Sequence, residues 1–191
     1  MFSELALTSF LAATALAVPH QHAHQHRHYQ RNTHASNFTI TVNNNCTKDL
    51  SVATFGMSDT FIITQESATH VIEPSCSANI STNYYGVGMR LSPNAHLPIA
   101  MQYLPQAMFE YGYSNTGPQG LSGTAYDLSL MGHVAPGIKV VPAHPECEPK
   151  CCTPGNCPID QGWTSAAQSY AADVTCYQGM VDFEVTFCPN E

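Results

Sequence analysis

Positive charge is scarce in this chain: six Lys and Arg stand against fourteen Asp and Glu, a formal net charge of −8. Nucleic-acid backbones and anionic membrane surfaces both require clustered cations, so neither is an expected partner. Long apolar runs are missing as well. Beyond residue 17 nothing approaches the ~18 apolar residues a transmembrane helix needs, and the closing Phe187-Cys188-Pro189-Asn190-Glu191 has no hydrophobic tail of the lipid-anchor type. No membrane anchor is expected. A Gly-x-Ser-x-Gly elbow is absent and His70, His96, His133 and His144 are scattered, which argues against a Ser-His-Asp hydrolase. Charged residues make up only 10% of the chain, but hydrophobic residues make up 43%, enough for the core of one domain.

What is present begins with a leader. Residues 5–16 are apolar and small, too short to span a bilayer, and Ala15-Leu16-Ala17 is a small-x-small site, so residues 1–17 read as a signal peptide cleaved after Ala17. Glu4 is unusual there, because it leaves the leader without a basic side chain before the apolar run. Eight cysteines fit the oxidising compartment that a leader implies. Three sequons, at Asn37, Asn45 and Asn79, mark candidate glycosylation sites, the middle one overlapping Cys46. Residues 18–36 form an arm with almost no aliphatic content, unable to offset its own ordering entropy. His20, His22, His24, His26 and His28 alternate along it and, if it is extended, share one face as weak candidates for copper or zinc. The plainer reading is a solubilising linker that gains charge below about pH 6.5.

From Asn37 onward the pattern has period two. Phe38-Thr39-Ile40-Thr41-Val42 alternates apolar and polar before the turn-forming Asn43-Asn44-Asn45. Similar runs at 50–55, 61–64, 70–72, 84–91, 99–103, 108–113, 125–130, 138–141 and 181–187 are each bounded by Gly, Pro, Asn or Ser. One helix is predicted, over 163–170, where Trp163, Ala167 and Tyr170 line up. Many short strands with little helical periodicity predict an all-β fold, an antiparallel sandwich or barrel spanning 37–191.

Several segments resemble one family. They are the opening Phe38-Thr39-Ile40-Thr41-Val42-Asn43-Asn44-Asn45-Cys46, Val71-Ile72-Glu73-Pro74, Gly88-Met89-Arg90, Met108-Phe109-Glu110-Tyr111, Tyr126-Asp127-Leu128-Ser129-Leu130 and the closing Val185-Thr186-Phe187-Cys188-Pro189. The most specific is Cys151-Cys152-Thr153-Pro154-Gly155-Asn156-Cys157. Together they resemble the thaumatin-like proteins in the short form seen in fungi. The family's Gly/Cys-dense second lobe has no counterpart between Arg90 and Glu110, so the resemblance implies a β-sandwich with a reduced disulfide-rich loop lobe. An acidic residue that lines the cleft of larger members falls at about Ala166.

Eight cysteines alone allow 105 pairings. The resemblance implies Cys46–Cys188 and Cys152–Cys157, with either Cys147–Cys176 plus Cys76–Cys151 or Cys147–Cys151 plus Cys76–Cys176. The first alternative is preferred because Cys147 follows the 138–141 strand as its family counterpart does. A zinc site in the cluster is the competing reading, disfavoured by the oxidising compartment and the lack of a repeated Cys-x-x-Cys.

Thaumatin-like proteins are associated with an acidic cleft that binds β-1,3-glucan, and some hydrolyse it weakly. Residue by residue, the resemblance carries Glu110 and Asp127 over as a catalytic carboxylate pair, with Arg90, Tyr111 and Tyr126 as ligand-binding residues. Tyr84, Tyr85, Tyr103 and Tyr113 add further aromatic faces for sugar rings. The structural alternative is that Glu110 pairs with Arg90 and Asp127 accepts backbone hydrogen bonds at a turn. The expected function is that of a monomeric, cofactor-free protein, secreted or wall-associated, that binds β-glucan with a structural, antigenic or antifungal role. The alternative is a weak endo-β-1,3-glucanase. Binding ranks first because the missing lobe forms one wall of the family's cleft.

Overall fold

The computed structural model describes residues 37–132, 136–165, 167–168 and 172–189. The leader, the His-rich arm with its candidate metal ligands, and Ala166 lie outside the described residues, as does Tyr170 of the expected helix. Among the described residues, twelve strands form two sheets that face each other across one core. The five-stranded sheet runs β10 (Lys150–Cys152), β9 (Ile138–Pro142), β12 (Phe183–Phe187), β1 (Phe38–Asn44), β5 (Ser77–Thr82). The larger sheet runs β11 (Val174–Cys176), β8 (Gly123–Leu130), β7 (Ala107–Ser114), β6 (Gly88–Ser92), β2 (Leu50–Met57), β3 (Ile63–Gln65), and β4 (His70–Ile72) also pairs with β2. The all-β sandwich read from the sequence is the fold, with one departure from antiparallel pairing. β1 and β12 run parallel, Ile40 opposite Phe183 through Asn44 opposite Phe187.

Alternation explains the core. In β1, Phe38, Ile40, Val42 and Asn44 are buried while the residues between them are half-buried; in β12, Phe183, Val185 and Phe187 point inward. From the larger sheet Met89, Leu91, Phe109, Tyr111, Tyr126 and Leu128 complete the layer. Phe183 sits 5.1 Å from the Phe109 ring and 5.2 Å from that of Tyr126, in the tilted and edge-on geometries aromatic quadrupoles favour. Asn44, fully buried, donates to the carbonyls of Lys48 (2.9 Å) and Ile72 (2.7 Å) and accepts from the Cys46 N–H, so the Asn-rich turn is an internal clamp.

Three expected elements differ. Residues 99–103 form a 3-10 turn, Ile99–Tyr103, because the Gln102 side chain, buried without exposure, donates to the Asn94 carbonyl and draws one residue inward while Ile99, Met101 and Tyr103 stay outside. At the start of the helix expected over 163–170, Trp163 bridges Ser129 of β8 in parallel, with its N–H on the Leu128 carbonyl at 2.7 Å. The run expected over 84–91 pairs as β6 only from Gly88, since Gly86 takes φ +58 against the Met57 carbonyl. β5, β10 and β11 have no counterpart among the expected runs. Each is an edge strand, and the polar Ser-Ala-Asn-Ile-Ser-Thr of β5 carries only Ile80 and Thr82 fully inward.

Cys46–Cys188 joins the chain just beyond the parallel β1–β12 pair, Cys147–Cys176 ties the loop after β9 to β11 of the other sheet, and Cys152–Cys157 closes the turn after β10. Gly162 is required beside that last bond, because a Cβ there would stand 2.9 Å and 3.1 Å from its two sulfurs. The expected Cys76–Cys151 bond is corrected: both are free thiols, Cys76 exposed and Cys151 half-buried. Cys76 adjoins β5 and Cys151 lies in β10, opposite edges of a five-stranded sheet. Four strand spacings separate them by ~19 Å, far beyond the ~7 Å a disulfide tolerates.

Candidate functional site

The residues singled out by sequence fall on adjacent strands of the larger sheet. Arg90 of β6 is opposite Glu110 of β7, and Glu110 is opposite Asp127 of β8. Their neighbours Met89, Leu91, Phe109, Tyr111, Tyr126 and Leu128 enter the core, so the three charged residues share the outer face. The register continues across β11. With Val174 opposite Tyr126, Asp173 falls opposite Asp127 and extends the row to three carboxyls and one guanidinium.

Alternation also corrects two assignments. Tyr111 is 3% and Tyr126 1% exposed, both rings inside the sandwich. Tyr111 shares a 2.6 Å hydroxyl contact with Thr82, and Tyr126 donates to the Glu148 carbonyl at 2.5 Å. Burial raises both phenol pKa values, and neither ring can meet a ligand on the outer face.

Arg90 and Glu110 are half-buried. The guanidinium donates to the Gln102 carbonyl at 3.2 Å and has the Met108 and Met57 sulfurs at 3.9 Å, so its contacts are to the 93–106 segment and two methionines rather than to Glu110. That segment is fastened by a buried amide chain: Ser92 donates to Gln106 at 2.6 Å, Gln106 to Gln102 at 3.1 Å. The Arg90–Glu110 ion pair of the structural alternative does not form; among the described residues the ion pair is Lys150–Glu148 at 2.9 Å. The 3-10 turn beside Arg90 exposes Met101, Leu104 and the Tyr103 ring, whose hydroxyl is pinned by the Ile63 N–H at 3.0 Å and by the Phe61 carbonyl at 3.2 Å.

Asp127 is different. It lies in the middle of β8, not at a turn, and is 1% exposed, on the face where the Trp163 indole reaches the adjacent Asp173. Its Oδ1 has no hydrogen-bond partner among the described residues. Burial in the first place, then the charges of Glu110 and Asp173 and a hydrogen bond with the Asp173 carboxyl, hold its pKa well above the usual carboxylate range; buried Lys150 opposes this and is outweighed. Lys150 is committed elsewhere, donating to Glu148 at 2.9 Å and to the Asp160 carbonyl at 2.6 Å. Burial and the two acidic neighbours therefore favour the protonated form of Asp127, and the neighbouring Asp173 also accepts from the Trp163 indole at 3.1 Å.

The chemistry follows from spacing and access together. Directly opposed residues on antiparallel strands have Cβ atoms ~4.5–5.5 Å apart, compatible with the ~5–5.5 Å carboxyl separation of a retaining glycosidase. Access fails, since a carboxyl 1% exposed cannot protonate a glycosidic oxygen of a polymer. The face can offer hydrogen bonds from Arg90 and Glu110 and a rigid apolar border at Tyr103. Among the described residues no group of three or more His, Cys, Asp or Glu is placed to hold a metal ion.

Asp173 and Trp163 escape sequence reasoning. Asp173 lies 46 positions from Asp127 and is brought beside it only by the β8–β11 register. The three sequon asparagines, Asn37, Asn45 and Asn79, are all exposed.

The fold has a solved counterpart. The chain is similar to the protein elicitor MoHrip2 from Magnaporthe oryzae, with a TM-score of 0.52 and 12% identity over 79% of this chain and 98% of that one. At that identity the likeness concerns the fold alone. A scan against protein-family models finds no match, and neither does a search of curated proteins.

Proposed function

We propose that this chain is a secreted thaumatin-like protein that binds β-1,3-glucan or a related neutral wall polysaccharide without cleaving it. The observation that carries the reading is the contrast along the charged row. Asp127 is sealed at 1% exposure, while Arg90 and Glu110 remain half-exposed beside the Tyr103 ring. Hydrolysis needs two accessible carboxyls, whereas binding needs polar groups for hydroxyls and an aromatic border for sugar rings. The low cation content and the disulfide-stapled sandwich support an extracellular setting and an uncharged ligand. A structural, antigenic or antifungal role in the wall accords with binding alone.

The test is co-sedimentation with insoluble β-1,3-glucan alongside a reducing-end assay on soluble glucan. The protein is expected to sediment and to release no new ends, and Arg90→Met or Glu110→Gln to weaken sedimentation roughly tenfold. Failure to sediment with any wall polysaccharide, or turnover that vanishes in Glu110→Gln, overturns the reading. The second outcome would restore the endo-β-1,3-glucanase alternative with Glu110 as its carboxylate.

A further inference from the structure

A second site lies inside the mouth of the sandwich. Between β5 and the β2–β6 pair there is an open pocket of about 310 Å³, at the small end of the ~300–1,000 Å³ typical of small-molecule sites. Thr54, Gly56 and Met89 point inward from the larger sheet here, whereas Arg90 and Glu110 face out, so the pocket is separate from the charged row. Among the described residues no Lys, Arg or His lines it and Glu66 is its one acid, which excludes an anionic ligand.

The floor is made by Thr54, Thr82 and Met89, each at most 5% exposed. Thr82 pairs with the Tyr111 hydroxyl, but the Thr54 Oγ1 is buried with no hydrogen-bond partner among the described residues. Such a hydroxyl is disfavoured unless a polar group entering the pocket meets it. At the rim, the Asn83 Oδ1 already accepts from the Tyr84 N–H at 2.7 Å, which leaves its amide donors for a ligand. The Tyr85 ring is 42% exposed and lies on bare β2 backbone: a Cβ on Gly56 would stand 2.4 Å from Tyr85 Cδ1. A held, open aromatic face over a floor bearing the Thr54 hydroxyl, with amide donors at the rim, matches a ring with one C–H face and a polar edge.

The geometry points to a hexopyranose-binding pocket that takes one sugar residue between Tyr85 and Thr54. Two sources supply that chemistry. One is a free saccharide or chain end. The other is a glycan on the chain itself, because exposed Asn37 lines the rim and opens the sequon Asn37-Phe38-Thr39.

The full chain is prepared unglycosylated and glycosylated, and each form is titrated with methyl β-D-glucopyranoside and with N-acetylglucosamine while the Thr54 and Met89 methyl and Tyr85 ring signals are followed by NMR. In the unglycosylated form saturable shifts are expected at all three residues. Tyr85→Ala should weaken binding roughly tenfold and Thr54→Val several-fold. Thr54→Val should leave the melting temperature unchanged or higher, because it removes only an unpartnered hydroxyl, so a merely structural Thr54 would not show the binding loss. If the chain's own glycan is the occupant, the glycosylated form shows pocket signals already at the saturated position and unresponsive to sugar; if a free saccharide is, both forms titrate alike. Pocket signals that stay flat in millimolar sugar and are identical in the two forms overturn the proposal. Its fate is separable from that of the charged row, since loss of glucan sedimentation in Glu110→Gln but not in Tyr85→Ala concerns the outer face alone.

Discussion

Replacing Asp127 by Asn should stabilise the protein at neutral pH and do nothing at pH 3. In the unfolded chain Asp127 ionises near pH 4, but in the folded chain burial, Glu110 and Asp173 keep it protonated well above that. The stability held by this proton is fully present below the unfolded value and is lost as pH rises through the folded one. Over that window the folded state gives up about 1.4 kcal/mol per pH unit, which for a domain of this size is roughly 3–6 °C in Tm per unit. The asparagine of the variant has no proton to lose, and its amide donates to the Asp173 carboxylate in the proton's place. Glu110 and Asp173 are present in both proteins, so subtracting the two curves isolates the contribution of the Asp127 proton. Thermal melts followed by circular dichroism from pH 3 to 8 should coincide at the acid end and diverge upward, with Asp127→Asn the more stable. Equal melting at every pH, or a variant destabilised at pH 7, would refute the reading of Asp127 as a buried acid of raised pKa and reopen its use as an ionised catalytic group.

Two further outcomes follow from the cysteines. Cys46–Cys188 closes a sequence separation of 142, so the Cys46→Ala, Cys188→Ala double variant should lose about 5 kcal/mol by chain entropy, read as a Tm drop under non-reducing conditions; a change of only a degree or two would count against an entropic staple. Thiol titration of the unreduced, denatured chain should find two thiols, with Cys76 labelled first in the native protein; finding none would contradict the edge-to-edge placement of Cys76 and Cys151.

The two end strands are legible because their burial is one-sided. Phe38, Ile40 and Val42, like Phe183, Val185 and Phe187, alternate with polar residues facing solvent, so period two survives in the sequence. β8 shows no such contrast: all eight of its positions are buried, the core-facing Tyr126 and Leu128 and the outward Asp127 alike. The same alternation holds a signal for the tyrosines. If Glu110 and Asp127 share the outer face, Tyr111 and Tyr126 must face inward, and residue type alone suggests the reverse.

By itself the sequence determined the class of the protein: an all-β chain with apolar content enough for a core, rich in cysteine and poor in cations. Those properties depend on composition and local period, which act within a few residues. The tertiary structure decided which thiols meet, that Asp173 lies against Asp127, and that Asp127 is shut away while Glu110 is not. Register between strands distant in the chain sets each of these, and register depends on how the whole core closes.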